Sequence, residues 1–365
     1  MDAEWTIKGA LEWTEGYLAD KGDENPRLSA QWLLSEATGL SRTHLFMNYD
    51  RPLSSDERAT LRDYVKRRGA GEPLQYITGE VTFRYIPVKV RSGVLIPRPE
   101  TEVLVSEVLA ALPDPVKREA RWNEEAAAQE SEAVEALKEA LGKAQEALAE
   151  NQRAAETFRE ADAADVEEAD AVEERERPIG SAESSANPEV ATAPLLVADL
   201  CTGSGCIACS LAYEHPDVRV IATDIAPEAV ALARENIEAL GLEDRVAVLQ
   251  CSLGTGIGEK RMGTFDAVVS NPPYVPTSVL ANIPREVADF EPNLALDGGA
   301  DGLDLFRPLV VWAARALKSQ GVLACELHEG HMDAAATVAK QAGFTQVRIV
   351  DDLAGRPRVL VARRA

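Results

Sequence analysis

The sequence is poor in positive charge. It contains 38 Lys and Arg residues against 61 Asp and Glu residues, which gives a formal net charge of −23. Residues 113–194 hold 22 acidic and 9 basic side chains, and the rest of the chain is acidic as well. Because phosphate binding depends on Lys and Arg, this balance argues against a nucleic-acid substrate. A basic run at Lys66–Arg68 is typical of a solvated helix end, where bases suit the helix dipole.

Long apolar runs, cysteine and histidine are also scarce. No stretch approaches the roughly 20 apolar residues of a membrane span, and the N-terminus lacks an apolar signal segment, so we expect a cytoplasmic protein with no membrane partner. Among five cysteines, Cys206 and Cys209 have the spacing of a redox or metal pair, but no second pair or histidine follows at ligand spacing, which favours packing residues. His328 and His331 lack the usual zinc-ligand register, so the sequence predicts no metal site.

A short turn after a predicted strand carries the most pointed chemistry. The strand-like run Phe265–Ser270 ends in Asn271, Pro272, Pro273 and Tyr274. In an open α/β sheet, ligands bind beyond the carboxyl ends of the strands. Proline has no backbone N–H, so the turn offers carbonyl acceptors, to which Asn271 adds an amide oxygen and Tyr274 an aromatic face. This composition predicts a site for a planar amide or exocyclic amine with two N–H donors, although Asn and Pro also mark ordinary turns.

A glycine-rich loop lies between a predicted strand at 195–200 and a predicted helix. Its residues are Cys201, Thr202, Gly203, Ser204 and Gly205. Glycine allows a backbone to take positive φ or to approach a ligand closely. The next predicted strand ends at Asp224, 19 residues after Gly205, where an acid is placed to hold ribose hydroxyls.

Two ligand classes fit this loop. The spacing Gly203-x-Gly205-x-x-Ala208 matches the dinucleotide fingerprint of a nicotinamide dehydrogenase. Asp199, at the end of the first strand, would repel a pyrophosphate but suits a cationic ligand, and a dehydrogenase has no evident use for the Asn271 turn. Together these features resemble S-adenosylmethionine-dependent methyltransferases that modify amide or amine nitrogens.

A third block of sequence narrows the resemblance. The stretches Gly71–Gly79, Val94–Glu102, Phe290–Pro292, Ala295–Gly302 and Asp352–Val359 resemble those of the release factor glutamine methyltransferases. The resemblance covers about residues 5–112 and 195–364. The Asn-Pro-Pro-Tyr turn alone is shared with adenine-amine methyltransferases.

The resemblance implies roles for individual residues. Asn271 would contact both cofactor and substrate, and the turn Asn271–Tyr274 would grip the glutamine amide. Arg98 and Thr101 would close over S-adenosylmethionine from the linker. The remaining cofactor-binding residues implied are Asp199, Cys201, Thr202, Gly203, Ser204, Gly205, Asp224 and Leu253. Cys201 replaces a usual glycine and Ser252 a common aspartate, so we expect weaker cofactor binding than is typical.

The order of elements predicts an α/β fold with several parts. Residues 1–73 read as a helical domain, 74–96 as a β-hairpin linker, and 97–112 with 195–365 as a Rossmann-like domain with a doubly wound, mostly parallel sheet. The resemblance implies that the helical domain helps to seat a protein substrate. The acidic, Ala- and Glu-rich insert 113–194 has heptad spacing around Leu137 and Leu141, which predicts a helix or helical hairpin, and its end reads as flexible linker. We interpret it as a solvated spacer, with binding of an unknown partner as the alternative.

These observations lead to one functional hypothesis and three alternatives. The hypothesis is methyl transfer from S-adenosylmethionine to the glutamine amide of the Gly-Gly-Gln loop in peptide chain release factors, which would be the protein partners. The alternatives are glutamine methylation of a ribosomal protein, adenine-amine methylation of nucleic acid, and a scaffold whose methyltransferase fold is vestigial.

Overall fold

The computed structural model describes residues 5–115 and 194–365. The predictions made for the 113–194 insert, a helix or flexible spacer, fall almost wholly outside the described residues. The boundaries assigned to the other domains stay predictions.

Five helices occupy the first part of the chain. They are α1 (Ile7–Asp20), α2 (Pro26–Thr38), α3 (Arg42–Met47), α4 (Ser55–Gly69) and α5 (Leu74–Thr78). Helix α4 begins with a capping box, in which the Ser54 side chain accepts from the Glu57 backbone N–H and the Glu57 carboxylate accepts from that of Ser54. Buried side chains of these helices, Leu18, Leu33 and Leu61 among them, form one apolar cluster. The helices are therefore held together by a core of their own.

A hairpin follows the helices. Its strands β1 (Glu80–Phe83) and β2 (Ile86–Lys89) pair antiparallel. The Asn236 side chain ties the hairpin to the larger domain, because its Oδ1 accepts from the Lys89 N–H at 2.8 Å and its Nδ2 donates to the Ser204 carbonyl at 2.9 Å. This clamp fixes the linker beside the glycine-rich loop.

The larger domain contains a seven-stranded sheet of order β5-β4-β3-β6-β7-β9-β8. The strands are β3 (Leu195–Leu200), β4 (Val218–Asp224), β5 (Val246–Gln250), β6 (Phe265–Ser270), β7 (Leu317–Glu326), β8 (Phe344–Asp351) and β9 (Pro357–Arg364). The first five are parallel, and β9 runs antiparallel to both of its neighbours. The chain leaves β3 in one direction through β4 and resumes on its other side at β6. The carboxyl ends of β3, β4 and β6 therefore meet at a topological switch point, the usual ligand site of such sheets.

Helices cover both faces of the sheet. The larger domain adds α6 (Pro99–Ala111), α7 (Cys206–Glu214), α8 (Pro227–Ala239), α9 (Arg285–Phe290), α10 (Phe306–Ala316) and α11 (Met332–Gln341). Val197 and Val269 pack with α6, α7 and α8, whereas the alternate residues Ala198 and Val268 pack with α10 and α11. The α/β class with a mostly parallel, doubly wound sheet and a helical N-terminal region is confirmed.

Candidate active site

A cleft of about 1070 Å³, open to solvent, lies at the switch point. Most of the residues predicted for the site line it: Arg98, Thr101, Cys201, Thr202, Gly203, Ser204, Asp224, Leu253, Asn271 and Pro273. Val94–Pro97, which precede α6, form another wall of the cleft. Asp199, Gly205, Pro272 and Tyr274 are absent from the lining.

The glycine-rich loop takes an unusual backbone course between β3 and α7. Cys201, Gly203 and Gly205 have φ values of 60°, 57° and 82°, all in the left-handed region. Only glycine occupies that region without strain, so Cys201 is held in a conformation that its side chain disfavours. At Gly205 a Cβ atom would lie 3.1 Å from the Ala233 side chain, which shows how closely α8 approaches the loop.

The carboxyl groups of Asp199 and Asp224 accept hydrogen bonds from the glycine-rich loop. Asp199 is fully buried, and its Oδ2 accepts a hydrogen bond from the Thr202 hydroxyl at 2.5 Å. Its Oδ1 has no hydrogen-bond partner among the described residues, and burial raises the pKa of Asp199 to about 7. Asp224 accepts from the Gly203 N–H at 2.9 Å and the Ala226 N–H at 3.0 Å, and burial raises its pKa too. Asp224, at the end of β4, thus holds the backbone of the glycine-rich loop at Gly203.

A chain of hydrogen bonds runs from Asn271 into the protein. Asn271 Nδ2 donates to the Thr101 hydroxyl at 3.1 Å, and that hydroxyl donates to Glu326 Oε2 at 2.6 Å. The Tyr274 hydroxyl donates to the other oxygen, Glu326 Oε1, at 3.2 Å. Burial raises the pKa of Glu326, and the bonds from Thr101 and Tyr274 and the charge of Arg358 oppose that shift. One carboxylate at the end of β7 therefore holds both ends of the Asn271–Tyr274 turn.

The linker wall is fixed by a partly buried ion pair. Arg98 lines the cleft and pairs with Glu291, whose side chain is buried. The Tyr76 hydroxyl also donates to the Val94 carbonyl at 2.6 Å, which anchors the start of the same wall. Arg98 thus borders the cleft while its charge is directed to Glu291.

Glu326 and Glu291 were not among the predicted site residues. Their contacts join residues far apart in sequence, since 225 positions separate Thr101 from Glu326 and 193 separate Arg98 from Glu291. Both Glu326 and the stretch Phe290–Pro292 belong to the family resemblance, but that resemblance implied no site role for either carboxylate. The local signal for Glu326 is its place at the carboxyl end of an otherwise apolar stretch, Gly321–Cys325.

Comparison with known proteins decides the family. Residues 9–79 match the model of the PrmC N-terminal domain, and residues 190–285 match the methyltransferase small domain. A release factor glutamine methyltransferase from Geobacter sulfurreducens is 35% identical to this protein over 98% of this chain and 97% of its own. The one from Moorella thermoacetica is 34% identical over 98% of this chain and 99% of its own. The one from Rhodopirellula baltica is 31% identical over 100% of this chain and 98% of its own.

The chain belongs to the release factor glutamine methyltransferase family. Among solved structures, a ribosomal protein L11 methylase from Lactobacillus delbrueckii subsp. bulgaricus is 22% identical over 48% of this chain and 73% of that chain, with a TM-score of 0.35. A likeness at this level carries no argument about function.

Two positions that depart from the usual pattern of the family, Cys201 and Ser252, both lie in the cleft. Leu253, next to Ser252, also has a positive φ, 48°. Ser252 presents a neutral hydroxyl where a carboxylate would give a charge-assisted hydrogen bond. A weaker hold on the cofactor stays a prediction.

Membrane-spanning helices and metal-binding clusters are both absent from the described residues. Within 5–115 and 194–365, no helix is long and apolar enough to cross a membrane. In the same ranges no cluster of three or more His, Cys, Asp or Glu side chains has the arrangement of a metal site.

Proposed function

We propose that the chain transfers a methyl group from S-adenosylmethionine to the side-chain amide of the glutamine in the Gly-Gly-Gln motif of peptide chain release factors. The main support for this proposal is the arrangement of the Asn271 side chain. Its Nδ2 donates to Thr101, and no described residue donates to its Oδ1, so this cleft-lining residue offers a free acceptor. An acceptor beside a proline-rich turn suits a primary amide, whose nitrogen has two N–H donors.

The cleft residues fit S-adenosylmethionine. Asp224 accepts from the backbone N–H groups of Gly203 and Ala226, and a carboxylate has about four acceptor positions, so capacity remains for a ribose hydroxyl. Ile225 and Leu253 supply apolar surface for an adenine ring. The buried Asp199 carboxyl lies next to the loop that would hold the methionine part, where a cationic sulfonium would favour its ionised form. Bound there, the cofactor supplies an electrophilic methyl group on a sulfonium sulfur.

The turn residues orient the acceptor nitrogen. An amide nitrogen is a poor nucleophile because its lone pair is delocalised into the carbonyl. Asn271 Oδ1 and the Pro272 backbone carbonyl accept the two amide N–H bonds, which fixes the nitrogen toward the methyl donor. Holding two reacting groups in such a geometry is worth roughly 7–11 kcal/mol of barrier.

The same acceptors also stabilise the charge that develops. The new N–C bond forms as the S–CH3 bond breaks and a neutral thioether leaves, and the amide nitrogen carries positive charge until one N–H proton passes to solvent. Two carbonyl dipoles aimed at that nitrogen would stabilise this charge. Tyr274 does not itself line the cleft; its hydroxyl is held by Glu326, which supports the turn that carries these acceptors. The chain thus contributes orientation and fixed dipoles, and none of its side chains forms a covalent bond to the substrate.

Substitution of Asn271 tests this role. Asn271→Ala removes the amide acceptor, and we expect turnover on release factor to fall about 10²–10³-fold with an unchanged thermal melt. Asn282→Ala is the matched control, because Asn282 is exposed and outside the cleft. Turnover of Asn271→Ala equal to that of Asn282→Ala would remove Asn271 from the mechanism.

A second groove supports a role for the helical part in seating the protein substrate. It has a volume of about 1560 Å³ and lies between residues 21–24 and 68–71 of the helical part and residues 284–291 around α9. Ile96 and Arg98 line both this groove and the cofactor cleft. We infer that the release factor approaches through the groove, and we place the reaction in the cytoplasm, where translation takes place.

A further inference from the structure

The direction of the Asn271 amide decides what the site can bind. An asparagine amide has almost the same shape when its oxygen and nitrogen are exchanged, so only its neighbours determine which atom points where. With Oδ1 toward the substrate, Asn271 accepts from a glutamine amide. With Nδ2 in that place, two donors would face each other and the hydrogen bond would be lost.

The Thr101 hydroxyl determines that direction. A hydroxyl has one hydrogen to donate and two lone pairs that accept. Thr101 Oγ1 donates to Glu326 Oε2 at 2.6 Å, and the Tyr274 hydroxyl donates to the other oxygen, Oε1, so the one hydrogen of the Thr101 hydroxyl is directed to Glu326. Thr101 can then only accept from Asn271, and Nδ2 is the atom that lies 3.1 Å away.

The surroundings of Glu326 suit this task. Thr101 and Glu326 are 2% and 1% exposed, so the hydrogen bond between them is sheltered from solvent. Arg358, buried on the neighbouring strand β9, supplies a positive charge that favours the ionised form of Glu326. The second carboxylate oxygen is occupied by the Tyr274 hydroxyl, so both oxygens of Glu326 already have donors.

We propose that Glu326 is a positioning residue that acts through the Thr101 hydroxyl to orient the Asn271 amide with its oxygen toward the substrate amide. This inference rests on the proposed function only for its effect on turnover. The orientation itself is a property of the protein without substrate.

Two substitutions at Thr101 separate the effect of its hydroxyl group from the effect of its side-chain size. Thr101→Val keeps the size of the side chain but removes the hydroxyl, so Asn271 loses its fixed direction. We expect kcat on release factor to fall about tenfold, the equivalent of one net hydrogen bond, while KM for release factor changes less. Thr101→Ser keeps the hydroxyl and recovers most of the turnover lost in Thr101→Val.

Glu326→Gln tests the carboxylate itself. A glutamine side chain can either accept from or donate to Thr101, so the direction of the Asn271 amide is no longer imposed. We expect two side-chain amide environments for Asn271 where the wild-type protein has one, together with a partial loss of kcat.

Nuclear magnetic resonance of protein labelled with ¹⁵N-asparagine reads the orientation directly, with Asn271→Asp identifying the signal by its absence. The wild-type protein and Thr101→Ser should show one Asn271 N–H proton that exchanges slowly, and Thr101→Val should lose that protection. An Asn271 signal and a kcat unchanged in both Thr101→Val and Glu326→Gln would overturn the proposal. Absence of methyl transfer by the wild-type protein would instead refute the proposed function, and the resonance measurement would still decide the orientation.

Discussion

At the scale of single residues, Cys201 shows how this chain departs from the glycine pattern of its loop. Its φ of 60° lies where an L-residue has unfavourable contacts between Cβ and the backbone, which cost about 1–2 kcal/mol. Burial raises the pKa of its thiol to about 12, so the side chain is neutral and carries no charge that could offset the strain. The loop conformation is therefore imposed by its neighbours, including the Asp224 bond to Gly203.

Replacement of Cys201 measures this strain. Cys201→Gly should be more stable than Cys201→Ala by about 1 kcal/mol, because alanine keeps the Cβ that clashes and glycine does not. Urea denaturation of both variants without cofactor gives the difference in the free energy of unfolding. Equal stability of the two variants would show that the loop is relaxed at this position.

Site residues could be identified from the sequence where they belong to a short motif, but not where their contacts join distant parts of the chain. Asn271 and Gly203 stand in short motifs directly after strands, and the rule that ligands bind at carboxyl ends of strands places both in one cleft. Glu326 reaches Thr101 across 225 positions, and nothing in a single sequence reports such a pairing. Tyr274 belongs to the predicted turn, but its bond to Glu326 draws it behind the cleft lining.

At the scale of elements, α9 is linked to the helical part of the chain through Arg68. Arg68, in the last turn of α4, bonds Asp23 at 2.6 Å and Glu286 of α9 at 3.1 Å. The side chains of Arg68 and Asp23 are 10% and 4% exposed, so the charge of Asp23 depends on this partner. The sequence indicated only a basic helix end at 66–68, because the acids that Arg68 meets lie in other elements.

Loss of Arg68 should therefore destabilise the chain. Arg68→Gln removes the charged partner of the buried Asp23 carboxylate, which keeps only the neutral donors Asn25 N–H and Ser29 hydroxyl. We expect a loss of about 2–3 kcal/mol in the free energy of unfolding. Arg285→Gln is the control, since the Arg285 side chain is 95% exposed in its pair with Asp289, and exposed pairs contribute less than about 1 kcal/mol. Calorimetric melts compare the two. A loss in Arg68→Gln no larger than that in Arg285→Gln would refute the structural role of the Arg68 contacts.

The sheet could be predicted from the sequence where local patterns determine it, but not where distant strands pair. Alternating strand and helix signals were enough to predict a parallel, doubly wound arrangement. The insertion of β9 between β7 and β8 was not predicted, since it depends on pairing between Leu323 and Ala362, and between Ile349 and Leu360. Placing Glu326 opposite Val359 in β9 brings Arg358 beside the site, so this unpredicted element contributes to the active-site electrostatics.

At the scale of the whole molecule, the described ends of the insert depart from the edge of the sheet opposite the cleft. Pro113 is held by His215, whose Nε2 donates to its carbonyl at 2.9 Å, and His215 follows α7 just before β4 begins. Residue 194 directly precedes the start of β3. Both attachment points thus lie at the amino ends of strands, whereas the cleft lies at the carboxyl ends.

Removal of the insert follows as a prediction. A chain in which residues 116–193 are replaced by a short Gly-Ser linker should keep Pro113 and its bond to His215, and turnover on release factor should stay within a factor of about two. Steady-state kinetics of the full-length and shortened proteins make the comparison. A large loss of turnover with an intact fold would assign the acidic segment a part in catalysis or in substrate binding.

Methyl transfer to a defined substrate tests the central claim most directly. The full chain is incubated with methyl-labelled S-adenosylmethionine and one of three substrates: release factor, release factor with the Gly-Gly-Gln glutamine changed to alanine, or bulk RNA. We predict label on the unmodified release factor alone, located on that glutamine by mass spectrometry of its peptides. Equal label on the glutamine-to-alanine factor, or label on RNA alone, would contradict the account.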